Sequence, residues 1–251
     1  MLASRPTQTR YVVDWTPVRH TASFLATTVD FRILPPPGMS RTALARALGS
    51  AVARLRTAST AFTPPRFWRR PAADRIRAAV TAGVMAGCRQ VRDATSGYFD
   101  PWAMPGGFDP AGLLTGWALE RAAVTLADAG LTDFALTAGD ELLVRGGAGG
   151  GNAWLVGIRH PAHNLSVAVT DAALSTSTGP VVDPHTQRPA DHWAAATVLG
   201  PDLGIADAYA TALRAAGPAG LSWFPTADGY RTVLLSEPRP EGTLTDLHPA
   251  A

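Results

Sequence analysis

Two stretches of this sequence place oxygen atoms and tight backbone at spacings that could hold a phosphate-bearing ligand through a cation. Asp109–Gly116 (DPAGLLTG) joins an acidic Asp-Pro turn to two glycines and runs into a helical pattern. Tight backbone at a helix N-terminus presents N–H groups and the positive end of the helix dipole, where an anion can sit. Asp207 and Thr211 lie four residues apart in GIADAYATAL (Gly204–Leu213), so both side chains share one face of a helix. A carboxylate and a hydroxyl on one face suit a hard cation such as Mg²⁺. Each piece alone has an ordinary explanation. An Asp near a helix start complements the dipole, and a helical Thr bonds its own backbone.

The elements that would position these residues can be read from periodicity. Tyr11–Trp15 and Ala26–Leu34 have the β-branched and aromatic content of strands. Pro35–Gly38 ends the second, and Ser40 offers an N-cap to a helix through about Arg56. Thr57–Pro71 is expected to be loop, followed by a helix over Ala73–Arg92 with Ile76, Val80, Val84 and Met85 on its apolar face. A third helix is expected over Gly116–Ala129, stopped by Gly130. Phe134–Thr137 and Glu141–Arg145 read as a hairpin around Gly139–Asp140. Gly146–Gly151 reads as a flexible turn, and Trp154–Arg159, Ser166–Thr170 and Ala194–Leu199 as strands. Ile205–Ala215 is the last helix and Gly229–Ser236 a closing strand. Hairpins mixed with a few helices, without a βαβ rhythm, predict an α+β fold.

Bulk composition narrows the class. With 46% hydrophobic and 17% charged residues the chain is globular, and no apolar run approaches the ~20 residues of a membrane span. All 22 basic residues are arginine. Residues 1–92 hold 15 Arg against 3 acidic residues, whereas residues 93–251 hold 7 against 17. A basic half beside an acidic one could draw a dinucleotide to the first and a cation to the second, or could reflect complementary packing of the halves. The nearly neutral total gives no reason to invoke nucleic acid. One domain is expected over residues 1–251, with a proline-rich tail after about residue 237 loosely ordered.

Six short segments, in order, resemble the ApbE family of FAD:protein FMN transferases: Phe99–Pro101, Asp109–Gly116, Thr137–Asp140, Thr176–Ser177, Val181–Pro189 and Asp207–Leu213. They match FDPT-like, DLGGIAKG-like, NLGGD-like, TSG, HIIDPRTG-like and DALATAL-like pieces, and the resemblance spans roughly Tyr11 to Leu235. It implies a two-lobed α+β fold with FAD in the cleft between the lobes. It implies metal ligands at Asp207, Thr211 and the Gly112 carbonyl. It implies flavin-binding positions at Leu25, Phe62, Asp100, Pro101, Asp109, Thr115 and Val181. Phe62 corresponds to an aromatic that packs on a ring of the FAD. Val181 would read a base edge through its backbone.

This sequence also departs from the family pattern. The lysine of the second turn is Thr115, and the histidine before the IIDP-like turn is Pro180, which carries no titratable group. His185, in DPHTQRP, is the nearby candidate to stand in for it. The GGD pair is reduced to Ala138–Gly139–Asp140, and Trp102–Gly107 is shorter than the corresponding family segment. The single cysteine, Cys88, falls in a helical pattern, leaving neither a disulfide nor the N-terminal lipid anchor of exported relatives, so a cytoplasmic location is expected. The resemblance implies Mg²⁺-dependent transfer of FMN from FAD to a Ser or Thr hydroxyl of a flavoprotein partner, releasing AMP. Two other readings fit the same residues: a non-catalytic FAD-binding protein, or a pyrophosphatase giving FMN and AMP.

Overall fold

Period-two alternation builds the strands and apolar faces at helical spacing build the helices. The computed structural model describes residues 17–62, 71–104, 106–160, 163–190 and 192–236. In chain order its elements are β1 (Val18–Phe24), β2 (Thr27–Leu34), α1 (Arg41–Phe62), α2 (Pro71–Ala94), α3 (Ala111–Asp128), β3 (Asp133–Ala138), β4 (Glu141–Arg145), β5 (Trp154–His160), β6 (His163–Val169), β7 (Ala172–Ser177), β8 (Val181–Asp183), β9 (Arg188–Ala190), β10 (Ala195–Gly200), α4 (Leu203–Ala216) and β11 (Arg231–Leu235). The expected strand at Tyr11–Trp15, residues 63–70 of the expected loop, and the tail after residue 237 lie outside the described residues.

The α+β class is as expected. Seven strands form one sheet in the order β1-β2-β3-β4-β7-β10-β11, and every neighbouring pair is antiparallel. β5–β6 and β8–β9 are separate two-stranded hairpins. In β2, Val29, Phe31 and Ile33 point to one face and are fully buried. They join Leu55 of α1, Leu119 and Leu126 of α3, and Leu213 of α4 in a shared apolar core. Helix α3 packs against both α1 and α4, and all three helices share this core with the sheet. Among the described residues no helix is long and apolar enough to cross a membrane.

The helices run further than their sequence patterns predict. Ser40 does cap α1, its Oγ accepting from the Ala43 N–H at 3.1 Å. The helix continues past Arg56 to Phe62, because Ala58 and Ala61 are buried against the core. Thr57 Oγ1 and Thr60 Oγ1 donate back to the Ala53 and Thr57 carbonyls. Phe62 therefore ends a helix, half-buried against the core, instead of lying in a loop. α3 begins at Ala111, five residues before Gly116, with non-helical backbone at Gly112 (φ −75°, ψ 19°). The DPAGLLTG segment is thus an Asp-Pro turn followed at once by a kinked first helical turn.

The β3–β4 hairpin closes as predicted, with Ala138 opposite Glu141 and Gly139 at φ +59°. β1 and β7 were not legible as strands. β7 (AALSTS) lacks β-branched bulk apart from Thr176, yet pairs with β4 and β10 at the middle of the sheet. Tertiary context overrides its weak propensity. The Gly146–Gly151 turn is fixed by hydrogen bonds, the Gly146 and Gly147 N–H groups donating to Asp171 and Asp133 carboxylates at 2.9 and 2.7 Å.

Candidate functional site

Helix α4 is placed by its N-terminus. Asp202 caps it, Oδ1 accepting from the Ile205 N–H at 2.9 Å. Glu120 of α3 accepts from the Leu203 N–H at 2.9 Å and pairs with Arg145 of β4 at 2.8 Å. Gly116 and Gly204 then let α3 and α4 meet backbone to backbone: a Cβ on Gly116 would lie 2.6 Å from the Gly204 nitrogen. This close crossing brings Gly112 of α3 beside Thr211 of α4. A Cβ at Gly112 would stand 3.1 Å from Thr211 Oγ1 and 3.3 Å from the Phe99 ring. Three of the segments singled out in the sequence, Phe99–Pro101, Asp109–Gly116 and Asp207–Leu213, therefore converge.

Asp207 sits one turn before Thr211, in the fifth position of α4, not at its start, and is only 8% exposed. Dipole complementation at an N-cap is Asp202's role. Asp207 Oδ1 accepts from Ser175 Oγ of β7 at 2.9 Å. A second carboxyl, Glu141 of β4, hydrogen-bonds it as well. Burial is the main force on both acids and raises both above the ordinary carboxylate range; the Asp207 charge raises Glu141 further. Glu141 Oε2 is buried with no hydrogen-bond partner. Among the described residues there is no cluster of three His, Cys, Asp or Glu side chains. The oxygen donors here are mixed: carboxylate, hydroxyl and carbonyl.

The other expected positions surround this centre at different distances. The two Asp-Pro turns are joined, the Asp109 N–H donating to the Pro101 carbonyl at 2.9 Å and Trp102 packing on Phe108 with ring centroids 5.1 Å apart. Asp100 is committed to the turn: it accepts from the Trp102 N–H at 2.9 Å and pairs with Arg92 at 2.8 Å. Pro101 is buried, and exposed Asp109 accepts from the Ala111 N–H at 3.0 Å. Thr115 lies half-buried in α3, immediately before the α3–α4 crossing. Val181 opens β8 opposite Ala190.

His185 sets its ring edge-on to Tyr98 at 4.6 Å and beside Gly97. There it helps line an open pocket of about 510 Å³ with Arg92, Asp93, Ser96, Gly97, Asp100 and Pro184. Leu25 occupies the exposed β1–β2 turn at φ +50°. The register puts that turn at the same end of the sheet as Gly139–Asp140 and Ser175. It stands three strand spacings, or ~15 Å, from β7.

Sequence reasoning missed Glu141, Ser175 and Arg214. Glu141 had a signal: it shares strand parity with fully buried Leu143, so period two already points it inward. Arg214, buried in α4, donates from Nε to the Trp193 carbonyl at 3.0 Å and from NH1 to the Gly179 carbonyl, tying the segment before Val181 to the helix.

Comparison with known proteins bears on the whole arrangement. The fold is similar to flavin transferase ApbE from Vibrio cholerae (TM-score 0.70, 16% identity, covering 86% of this chain and 92% of that one). It is similar to the apo flavinyl transferase ApbE from Pseudomonas stutzeri (TM-score 0.70, 16%, 90% and 92%) and to the ApbE protein from Thermotoga maritima (TM-score 0.67, 16%, 87% and 94%). At these identities the likeness speaks for the fold. A sequence comparison with curated proteins returns no match. The sequence pattern of the ApbE family, however, matches residues 40–234, from the α1 cap to the last strand and across the Gly112, Asp207 and Thr211 positions; the chain belongs to the ApbE family.

Proposed function

We propose that this protein transfers the FMN half of FAD to a Ser or Thr hydroxyl of a flavoprotein acceptor, releasing AMP. The observation that carries the reading is that Gly112, distant in sequence, meets Thr211, which lies one helical turn from buried Asp207; the family resemblance assigns all three to one cation site. Membership of the ApbE family and the flavin transferases among its structural neighbours support it.

The residues fit a hard divalent cation such as Mg²⁺, because every donor is oxygen and Gly112 leaves the space beside Thr211 Oγ1 clear of a Cβ. Asp207, Thr211 Oγ1 and the Gly112 carbonyl would hold it. When bound, such an ion supplies Lewis-acid neutralisation of pyrophosphate charge. Ser175 fixes the rotamer of Asp207 through its hydrogen bond. Phe62 and Leu25 offer apolar surface to the flavin, and the Val181 backbone offers a base-edge contact. The Thr115 side chain replaces a cation with a neutral hydroxyl, so FAD phosphate binding relies less on direct side-chain charge.

In the reaction, the acceptor oxygen bonds to the FMN-side phosphorus. The P–O bond to the AMP phosphate breaks, with its electron pair departing on AMP. The hydroxyl proton is lost, with His185 as the candidate acceptor. A general base is worth roughly 10²–10⁴-fold, so replacement of the family histidine by Pro180 slows a transfer that runs mainly on positioning.

Asp207→Asn tests the assignment. The variant keeps the shape of the buried side chain and is expected to retain a cooperative melt while losing cation-dependent AMP release from FAD. A variant that releases AMP at the wild-type rate would remove Asp207 from the chemistry.

A further inference from the structure

We propose that Glu141 is a further ligand of the cation site, a second carboxylate that lets the protein bind a divalent cation before FAD arrives. The inference rests on the cation site of the preceding reading and adds a residue outside the family motifs that led to it.

The argument begins with register. Val29, Ala138, Glu141, Ser175 and Val198 stand directly opposite one another across five strands. Directly opposed residues share a face, and here that face is the one covered by α4. Val29, Ala138 and Val198 are buried apolar side chains. The row turns polar only at Glu141 and Ser175, the two positions that reach Asp207.

A carboxylate in such a row requires a compensating charge or a full set of hydrogen bonds. Glu141 has neither. One oxygen meets another acid, and Oε2 is buried with no partner. Two acids in contact, with Thr211 Oγ1 one turn further and the Gly112 backbone alongside, are what a hard divalent ion relieves and binds. Asp207, Thr211 and the Gly112 carbonyl provide three oxygens with one negative charge. Glu141 raises the charge to two, matching the ion.

The test uses the full chain, free of FAD, titrated with Mn²⁺ as an oxygen-seeking probe read by electron paramagnetic resonance. Wild type is expected to bind Mn²⁺ without FAD. Glu141→Gln, which keeps the shape and removes the charge, is expected to weaken binding by at least about tenfold. Glu141→Leu, which extends the apolar row, is expected to do the same, and its melt in EDTA checks the fold if the Gln variant is unstable. Equal Mn²⁺ affinity in wild type and both variants overturns the proposal, as does a wild type that takes up Mn²⁺ only with FAD. Neither result touches flavin transfer, which is read separately as FMN attached to an acceptor. Conversely, absence of that adduct leaves a Glu141-dependent Mn²⁺ site standing.

Discussion

Cys88 is fully buried on α2, and burial pushes its thiol up to about 12, against a smaller opposing pull from Arg89. Only the thiolate reacts. The native protein is therefore expected to resist iodoacetamide at pH 8 and to be modified at Cys88 once unfolded in guanidinium, as peptide mass mapping would show. Rapid labelling of the native state would contradict this burial. The same physics acts at the candidate site, where burial raises the Asp207 carboxyl and also that of half-buried Glu141, which the neighbouring Asp207 charge raises further. That Asp207 and Thr211 share one face of a helix was legible from their four-residue spacing, whereas Gly112 was pointed to only by the family resemblance. Ser175 was not, since a serine in AALSTS carries no signal until β7 is known to lie beneath α4. Arg214 was hidden for a similar reason: its partners are the carbonyls of Trp193 and Gly179, distant in sequence.

At the scale of elements, α3 and α4 carry the site, and two glycines on α3 divide the work. Gly116 sits where α3 touches the Leu203–Gly204 backbone, and a Cβ there has nowhere to go. Gly116→Ala is expected to cost about 1–3 kcal/mol, as overpacking does, measured by urea unfolding. Gly112→Ala meets only the Thr211 side chain and the Phe99 ring, at 3.1 and 3.3 Å. It should lower stability less while weakening cation and FAD binding more. The opposite ranking would show that Gly112 is a packing residue alone. Helix existence was readable from periodicity, but helix ends were not. α1 gained its last turns from buried Ala58 and Ala61, and α3 its first turn from Pro110, whose carbonyl accepts from both the Leu113 and Leu114 N–H groups at 2.9 Å. Small-residue strand β7 was decided by its neighbours in the sheet.

At the scale of the molecule, the uneven charge resolves into helix surfaces. Arg41, Arg46, Arg54, Arg56, Arg75 and Arg89 of α1 and α2 are exposed. The ion pairs among the described residues are Arg32–Asp30, Arg92–Asp100 and Arg145–Glu120. Among the described residues, Arg92–Asp100 is the one of these pairs that links the basic half to the acidic half, and both halves contribute to the shared apolar core. A cation held between α3, α4 and β4 would link FAD binding to the whole fold. The melting temperature should rise with FAD and Mg²⁺ together by more than with either alone, following RT ln(1 + [L]/Kd). Equal shifts with FAD in Mg²⁺ and in EDTA would separate the flavin from the cation.

The most direct test of the account is the fate of FAD itself. The protein is incubated with FAD, Mg²⁺ and an apo-flavoprotein acceptor, with AMP measured by chromatography and the acceptor by intact mass. The account predicts AMP and acceptor-linked FMN in equal amounts, both lost in Asp207→Asn. FAD recovered intact, with no AMP and no adduct while binding persists, would contradict transfer and leave a flavin-binding protein.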